Sequence, residues 1–155
     1  MTAKLLTVRT GTTADAAEIR RVHIAASKGP DSLERDNQNV LAWLDSRVDA
    51  DYLQEMERDA FVIAETDDGR MIGFGAIDLG KANINSVYTD PEFTRQGVAS
   101  ALVAAMENLA KDAGIDKVTL QAAGGALTFY YKQGFEYVTE PPKDGPLWAE
   151  MKKVL

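Results

Sequence analysis

Residues 90–103 read DPEFTRQGVASALV. A proline, a polar run and Gly97 precede residues that turn apolar at helical spacing from Val98 onward. Glycine lets the backbone turn tightly or take a positive φ. The first turn of a helix leaves about four N–H groups without partners, and these, with the helix dipole, attract anions. Gln96, Gly97, Val98, Ala99 and Ser100 thus offer a row of backbone donors. Arg95 adds positive charge, and small Ala99 and Ser100 let a ligand lie close. The pattern suits phosphate binding; the plain alternative is a solvated loop between a strand and a helix. A second stretch, ALTFYYKQGFEYV at 126–138, sets Tyr130 on a short helix ahead of Gly134 and Phe135. A phenol of ordinary pKa about 10 is protonated at neutral pH and can give up a proton. Three adjacent aromatics cannot all face the core from one helix, so Tyr130 is weighed for chemistry as well as for packing.

Other chemistries lose their residues. The 155-residue chain has no cysteine, which removes disulfides, thiolate metal sites and a cysteine nucleophile. It has one histidine, His23, so no multi-histidine metal site forms within one chain, and no metal is expected. His23 sits at the edge of a helical apolar stripe and reads as a partly buried structural residue. The segment GAIDLGKA at 75–82 nearly matches a P-loop, but Ala82 lacks the hydroxyl for Mg²⁺ and no helix follows Lys81. The glycines of GFGAID at 73–78 read more simply as a bulge or a close backbone approach. The net charge of −7 argues against a nucleic-acid partner, which needs a basic face. An acidic chain attracts cationic partners instead. No stretch approaches the roughly 18 apolar residues of a membrane span, and the N-terminus lacks a signal-peptide pattern, so a cytoplasmic protein with no membrane partner is expected.

The elements that would position these residues follow from periodicity. Strands are expected at 4–10, 60–66, 70–78, 83–89, 117–123, 135–140 and 147–155. Helices are expected at 12–27, with Thr12 and Asp15 spaced as a capping box, over 37–58 as one or two helices, from Val98 to a C-cap at Gly114, and at 125–133. Leu41, Leu44, Val48, Leu53 and Met56 are the core candidates of 37–58. The order β-α-α-β-β-β-α-β-α-β-β implies an α/β fold, a mixed and mostly antiparallel sheet flanked by helices. No repeat or linker interrupts it, so residues 1–155 read as a single domain.

Together, VYTDPEFTRQGVASALV and ALTFYYKQGFEYV resemble the acetyl-coenzyme A motifs of the GNAT superfamily of N-acetyltransferases. TRQGVA at 94–99 resembles the family's phosphate loop, and the second stretch resembles its A-x-x-F-Y-x-x-x-G-F segment. Thr94 stands where Arg or Gln is usual, and Ala123 where many relatives carry Asn or Ser, which leaves those contacts to the backbone. The resemblance implies acetyl-CoA as cosubstrate, its pyrophosphate on Arg95, Gln96, Gly97, Val98, Ala99 and Ser100. It implies a pantetheine arm bonded to the backbone of Val87 and Thr89, and a strand from Lys117 that splays away to admit it. The implied reaction is direct attack of a primary amine on the thioester, with a backbone amide near Tyr88 or Thr89 facing the oxyanion and Tyr130 as acid. The competing reading is an acyl-CoA sensor on the same fold without turnover.

The base stays open between Glu65 and Asp78, each equally readable as a strand-end charge. Acceptor specificity is expected in residues 27–58. Residues 31–59 hold nine acids against three bases, a net −6, which favours a small or cationic amine, although a solvated helical face explains the charge equally well. Trp43 reads as core or as pocket wall. Whether the protein is a monomer or a homodimer stays open.

Overall fold

In AFVIAET, Phe61 and Ile63 point to one side and Val62 and Ala64 to the other. A strand apolar on both faces must be covered on both, and the sheet is indeed sandwiched between two helical layers. The computed structural model describes residues 6–141, 143, 144 and 148–155. Its strands are β1 (Leu6–Thr10), β2 (Ala60–Thr66), β3 (Met71–Asp78), β4 (Asn83–Thr89), β5 (Lys117–Ala123), β6 (Glu136–Tyr137) and β7 (Trp148–Val154). The helices are α1 (Ala16–Ser27), α2 (Gln38–Ser46), α3 (Asp49–Arg58), α4 (Val98–Asp112) and α5 (Gly125–Lys132). They form one seven-stranded sheet in the order β1-β2-β3-β4-β5-β7-β6, antiparallel except where β4 meets β5. One core packs α4 and α5 on the sheet; the other packs α1 and Tyr52 of α3 on the opposite face, against Phe61, Ile63 and Phe74. None of the described helices is long and apolar enough to cross a membrane.

Local chemistry sets the ends of the elements. The Asp15 carboxylate accepts from the Thr12 N–H at 2.8 Å and from the Arg9 guanidinium at 2.8 Å, tying the start of α1 to β1. Gly114 closes α4 with φ 78°, while the Ile115 N–H donates back to the Ala110 carbonyl at 2.9 Å. Gly73 and Gly75 of β3 mark a close approach. A Cβ at Gly73 would lie 2.7 Å from Val98 Cγ1, and one at Gly75 2.7 Å from Met106 Cε. Side-chain-free strand thus lets α4 press directly on the sheet.

Three expectations change. Of the one or two helices expected over 37–58 there are two, so three helices precede β2 where the expected order has two. The chain breaks phase at Arg47 and Val48, which are extended. Continuing one helical period across that break mis-phases the second half: Leu44 is fully buried, but Val48 is 56% exposed and Leu53 37% exposed, and Tyr52 takes the core position. The strand expected at 135–140 shrinks to two residues, although the Val138 N–H still donates to the Glu150 carbonyl at 2.9 Å. Residues 4 and 5 of the first expected strand, Leu147 of the last, and Pro142, Gly145 and Pro146 of the turn before it lie outside the described residues.

The close approach at β3 makes a stability prediction. Gly73→Ala should cost about 2 kcal/mol by overpacking against Val98 and the Tyr88 carbonyl. Gly125→Ala, whose Cβ meets open space, should be neutral or stabilise by up to about 1 kcal/mol. Urea unfolding of both variants checks the contrast.

Candidate functional site

β4 does not run straight along β3. Ala76 faces Ser86, but Ile77 faces Ile84, so Asn85 is an extra residue with no partner on β3. Such a bulge bends and twists the strand that carries it. On the other edge of β4, pairing with β5 covers only Asn83 with Thr119 and Ile84 with Leu120. Beyond the bulge the two strands part, and β5 continues with β7 over its whole length. The Asp90 N–H donates to the Ile72 carbonyl at 2.8 Å, which fixes the phase of the ladder. In an antiparallel pair the bonded residues alternate. Tyr88 and Ser86 are therefore bonded to β3, while Val87 and Thr89 turn their N–H and C=O toward the gap. The sheet opens at the strand expected to splay, and the backbone of the two expected residues lines the opening.

At the wide end of the gap, the segment 90–97 leads into α4. Asp90 is buried, accepts from the Glu92 N–H at 3.0 Å and pairs with Arg21 at 3.2 Å. Thr94, Arg95, Gln96 and Gly97 are all exposed. Arg95 and Gly97 both take positive φ, 63° and 82°. The helix ladder begins with the Ala101 N–H donating to the Gly97 carbonyl at 3.0 Å, so the N–H groups of Val98, Ala99 and Ser100 precede it. A Cβ at Gly97 would meet nothing within 4 Å, so the turn faces open space. Ser100 Oγ accepts from Gln133 Nε2 at 3.1 Å, which ties the start of α4 to α5 across the gap.

α5 carries Tyr130 inward between Phe129 and Phe135, with ring centroids 4.9 and 5.6 Å away, while Tyr131 faces solvent. The Tyr130 hydroxyl bonds no protein group among the described residues and keeps contact with solvent. Burial, and then the neighbouring Tyr88, push this phenol well above its ordinary pKa. The two candidate bases go elsewhere. Glu65 pairs with Arg9 at 3.2 Å at the β1 side of the sheet. Asp78 is buried at the β3–β4 turn and accepts from the Lys81 N–H at 3.1 Å. Both carboxylates are engaged in these local contacts.

On the opposite face of β4 lies a cleft of about 290 Å³ between the sheet and α1, α2 and α3. Its walls include His23, Trp43, Tyr52, Phe74 and Tyr88, with Glu34, Arg47 and Glu55 as its charges. His23 shares a 2.8 Å hydrogen bond between its Nδ1 and the Tyr52 hydroxyl, and its ring lies 4.5 Å from that of Tyr88. Burial, and then the charge of Arg47, depress His23 to about 4, so the imidazole is neutral at physiological pH. Burial, and then Glu34, push Tyr88 up to about 12. Arg47 lies over the rings of Trp43 and Tyr52, 4.8 and 4.3 Å from their centroids, and donates through Nη2 to Glu55 at 2.7 Å. Its Nε is shut off from solvent and has no hydrogen-bond partner among the described residues. An unmatched buried donor costs about 1–3 kcal/mol, more when charged.

Residues 27–58, where acceptor specificity is expected, line much of this cleft, but His23, Phe74, Ser86 and Tyr88 come from outside that span. Trp43 is 52% exposed at the rim, so it is wall rather than core. His23 is buried, as its edge position implied, yet it faces the cleft. Tyr52 and Arg47 carried no signal beyond lying where the helical phase breaks. Most of the acids of 31–59 are solvated, two of them paired, Asp45 with Lys28 and Asp36 with Arg35; Asp59 is buried and pairs with Arg58. Glu34 and Glu55 are the two that line the cleft.

The family model described as "Acetyltransferase (GNAT) domain" matches residues 32–155. An uncharacterized N-acetyltransferase of Methanocaldococcus jannaschii is 26% identical over 145 residues, covering 86% of this chain; the chain spans 62% of that relative's length. Among solved structures, the PaiA N-acetyltransferase of Thermoplasma acidophilum, in complex with coenzyme A, superposes with a TM-score of 0.82 at 20% identity, covering 97% of this chain and 99% of its own. A GCN5-related N-acetyltransferase of Rhodopseudomonas palustris gives 0.79 at 22% identity, covering 100% and 99%. At such identities the likeness to the solved structures is one of fold.

The buried imidazole gives a pH prediction. The folded chain keeps His23 neutral down to about pH 4, whereas the unfolded chain takes up the proton near the ordinary 6.5. The stability this contributes is present above pH 6.5 and is lost as pH falls toward 4. The difference in unfolding free energy between wild type and His23→Gln should shrink by about 2 kcal/mol from pH 7 to pH 4.5. Urea titrations at both pH values read it; an unchanged difference means that His23 is not held neutral.

Proposed function

Because the chain belongs to the GNAT family of acetyltransferases, we propose that it is an N-acetyltransferase that moves an acetyl group from acetyl-CoA to a primary amine. The observation that carries the reading is the gap between β4 and β5, with the Gly97 turn at its wide end and Tyr130 beside it. The whole of residues 1–155 is taken as one acetyltransferase domain, consistent with a single continuous sheet.

The residues present suit the cosubstrate. Gln96, Gly97, Val98, Ala99 and Ser100 offer N–H groups ahead of the α4 ladder, and Arg95 a positive charge, for a pyrophosphate. The unpaired edge at Val87 and Thr89 offers both donors and acceptors to an amide-bearing arm. When bound, acetyl-CoA supplies an acyl carbon activated by a thioester. The N–H at Tyr88 is committed to β3, so the Thr89 N–H, which turns toward the gap, is the better donor for an oxyanion. Tyr130 keeps its proton throughout the working pH range. Its burial makes it a weaker acid than free tyrosine, so its first service is a hydrogen bond to sulfur as charge gathers there.

The amine enters from the cleft lined by Tyr88 on the other face of β4. An ordinary alkylamine, of pKa about 10.4, must shed a proton to attack. Glu34 is the carboxylate at this cleft with no ion pair among the described residues, and it is taken as the residue that receives the acceptor's ammonium group. The acidic face of 31–59 adds long-range attraction for cationic acceptors, which falls with added salt.

Acetyl-CoA should raise the apparent melting temperature, and amines should then release free thiol. Tyr130→Phe should lower kcat by about 100-fold while the acetyl-CoA-induced stabilisation persists. Unchanged turnover removes Tyr130 from the chemistry. Absence of any stabilisation at saturating acetyl-CoA defeats the whole reading.

A further inference from the structure

We propose that the acceptor carries a carboxylate beside its amine, so that it is a free amino acid, and that Arg47 is the residue that selects it. The proposal rests on the acetyltransferase reading above and names the substrate class of that site.

The charges of the cleft divide into one pair and one unmatched carboxylate, Glu34. Glu55 is bound to Arg47 Nη2 at 2.7 Å. Among the described residues Glu34 has no ion pair, and Arg47 Nε, shut off from solvent, has no hydrogen-bond partner. Arg47 is about nine-tenths buried, so bulk water does not compensate that donor. A guanidinium presents donors in a planar fork that matches a carboxylate, and Nη1, which has no partner among the described residues and is not shut off from solvent, is the donor a ligand carboxylate would meet. Glu34 offers the opposite charge for an ammonium group. Together they give one cleft a group for each end of an amino acid.

Two further features point the same way. The faces of Trp43 and Tyr52 could hold a ligand's ammonium group, but Arg47 already lies over both. The aromatic walls are therefore spent on fixing the guanidinium, which cannot swing out to solvent. The neutral His23 ring adds no competing positive charge. The volume, about 290 Å³, lies at the small end of ligand pockets, which run from about 300 Å³, and suits one amino acid with an apolar side chain against Phe74 and Tyr88.

The test compares α-amino acids with their own carboxamides as acceptors, by thiol release from acetyl-CoA at one pH. The carboxamide loses only the negative charge, and its amine is more readily neutral, so the bias of chemistry runs against the proposal. The best amino acid should exceed its carboxamide at least ~10-fold in kcat/KM. In Arg47→Gln that ratio should fall toward one while acetyl-CoA still stabilises the protein. Arg47→Lys, which keeps the charge without the fork, should retain only part of it. Should the Arg47 variants fail to fold, the wild-type ratio decides alone. A second arm needs no turnover: with CoA present, an N-acetylated amino acid should raise the melting temperature more than its carboxamide does. Carboxamides that match or exceed the acids, or thiol release only with amines lacking a carboxylate, overturn the proposal and leave acetyl transfer standing. A protein that acetyl-CoA does not stabilise and that releases no thiol with any amine loses the underlying reading instead.

Discussion

One extra residue in β4 sets the geometry of the candidate site. With Asn85 unmatched, β4 cannot follow both neighbours, and it stays with β3. The price is five residues of unpaired strand edge next to β5, which in a closed sheet would be a waste of hydrogen bonds. The structure keeps the two halves of the sheet together by other means. β5 is held by seven register pairs with β7, and α4 and α5 pack over the parting on one face. The core of α4 and α5 stabilises an opening that backbone pairing alone would close.

That opening divides the protein into two chemical environments on either side of one strand. Toward α4 the exposed groups are peptide N–H and C=O, arranged by a bulge, two residues of positive φ and a helix start. Toward α1 they are side chains: aromatic rings, a carboxylate and a clamped guanidinium. Tyr88 belongs to both, because its main chain lies on the strand while its ring walls the cleft. The loop at 28–37 leans on both sides of the opening. A Cβ at Gly29 would lie 2.9 Å from Pro91, and one at Gly124 would lie 2.9 Å from Leu33.

The sequence makes the first environment legible and the second hardly at all. Gly97 before an apolar helix, Gly114 after it, and the Thr12–Asp15 spacing each reflect a local backbone need, and each holds in the structure. The bulge left a trace that simple alternation hides: in NINSVYT, Ile84 and Val87 share the α4 face though they are three residues apart. An even-spaced strand cannot do that. Across 37–58, by contrast, the helical phase restarts at Val48, and extending the first period gave the core to Val48 and Leu53 instead of Tyr52. Arg47 was invisible for a related reason. Its role comes from two rings and a carboxylate that reach it from residues 43, 52 and 55, and spacing alone does not show that a chain break brings them around one side chain.

The difference between a wall of peptide groups and a wall of side chains bears on how such a protein changes over generations. Every amino acid except proline brings the same N–H and C=O, so the edge at Val87 and Thr89 survives most substitutions unaltered. The cleft has no such insurance, because exchanging Arg47, Glu34 or Trp43 rewrites its charge or shape at a stroke. Drift can therefore redirect what enters one side of β4 while the opposite side goes on offering the same contacts.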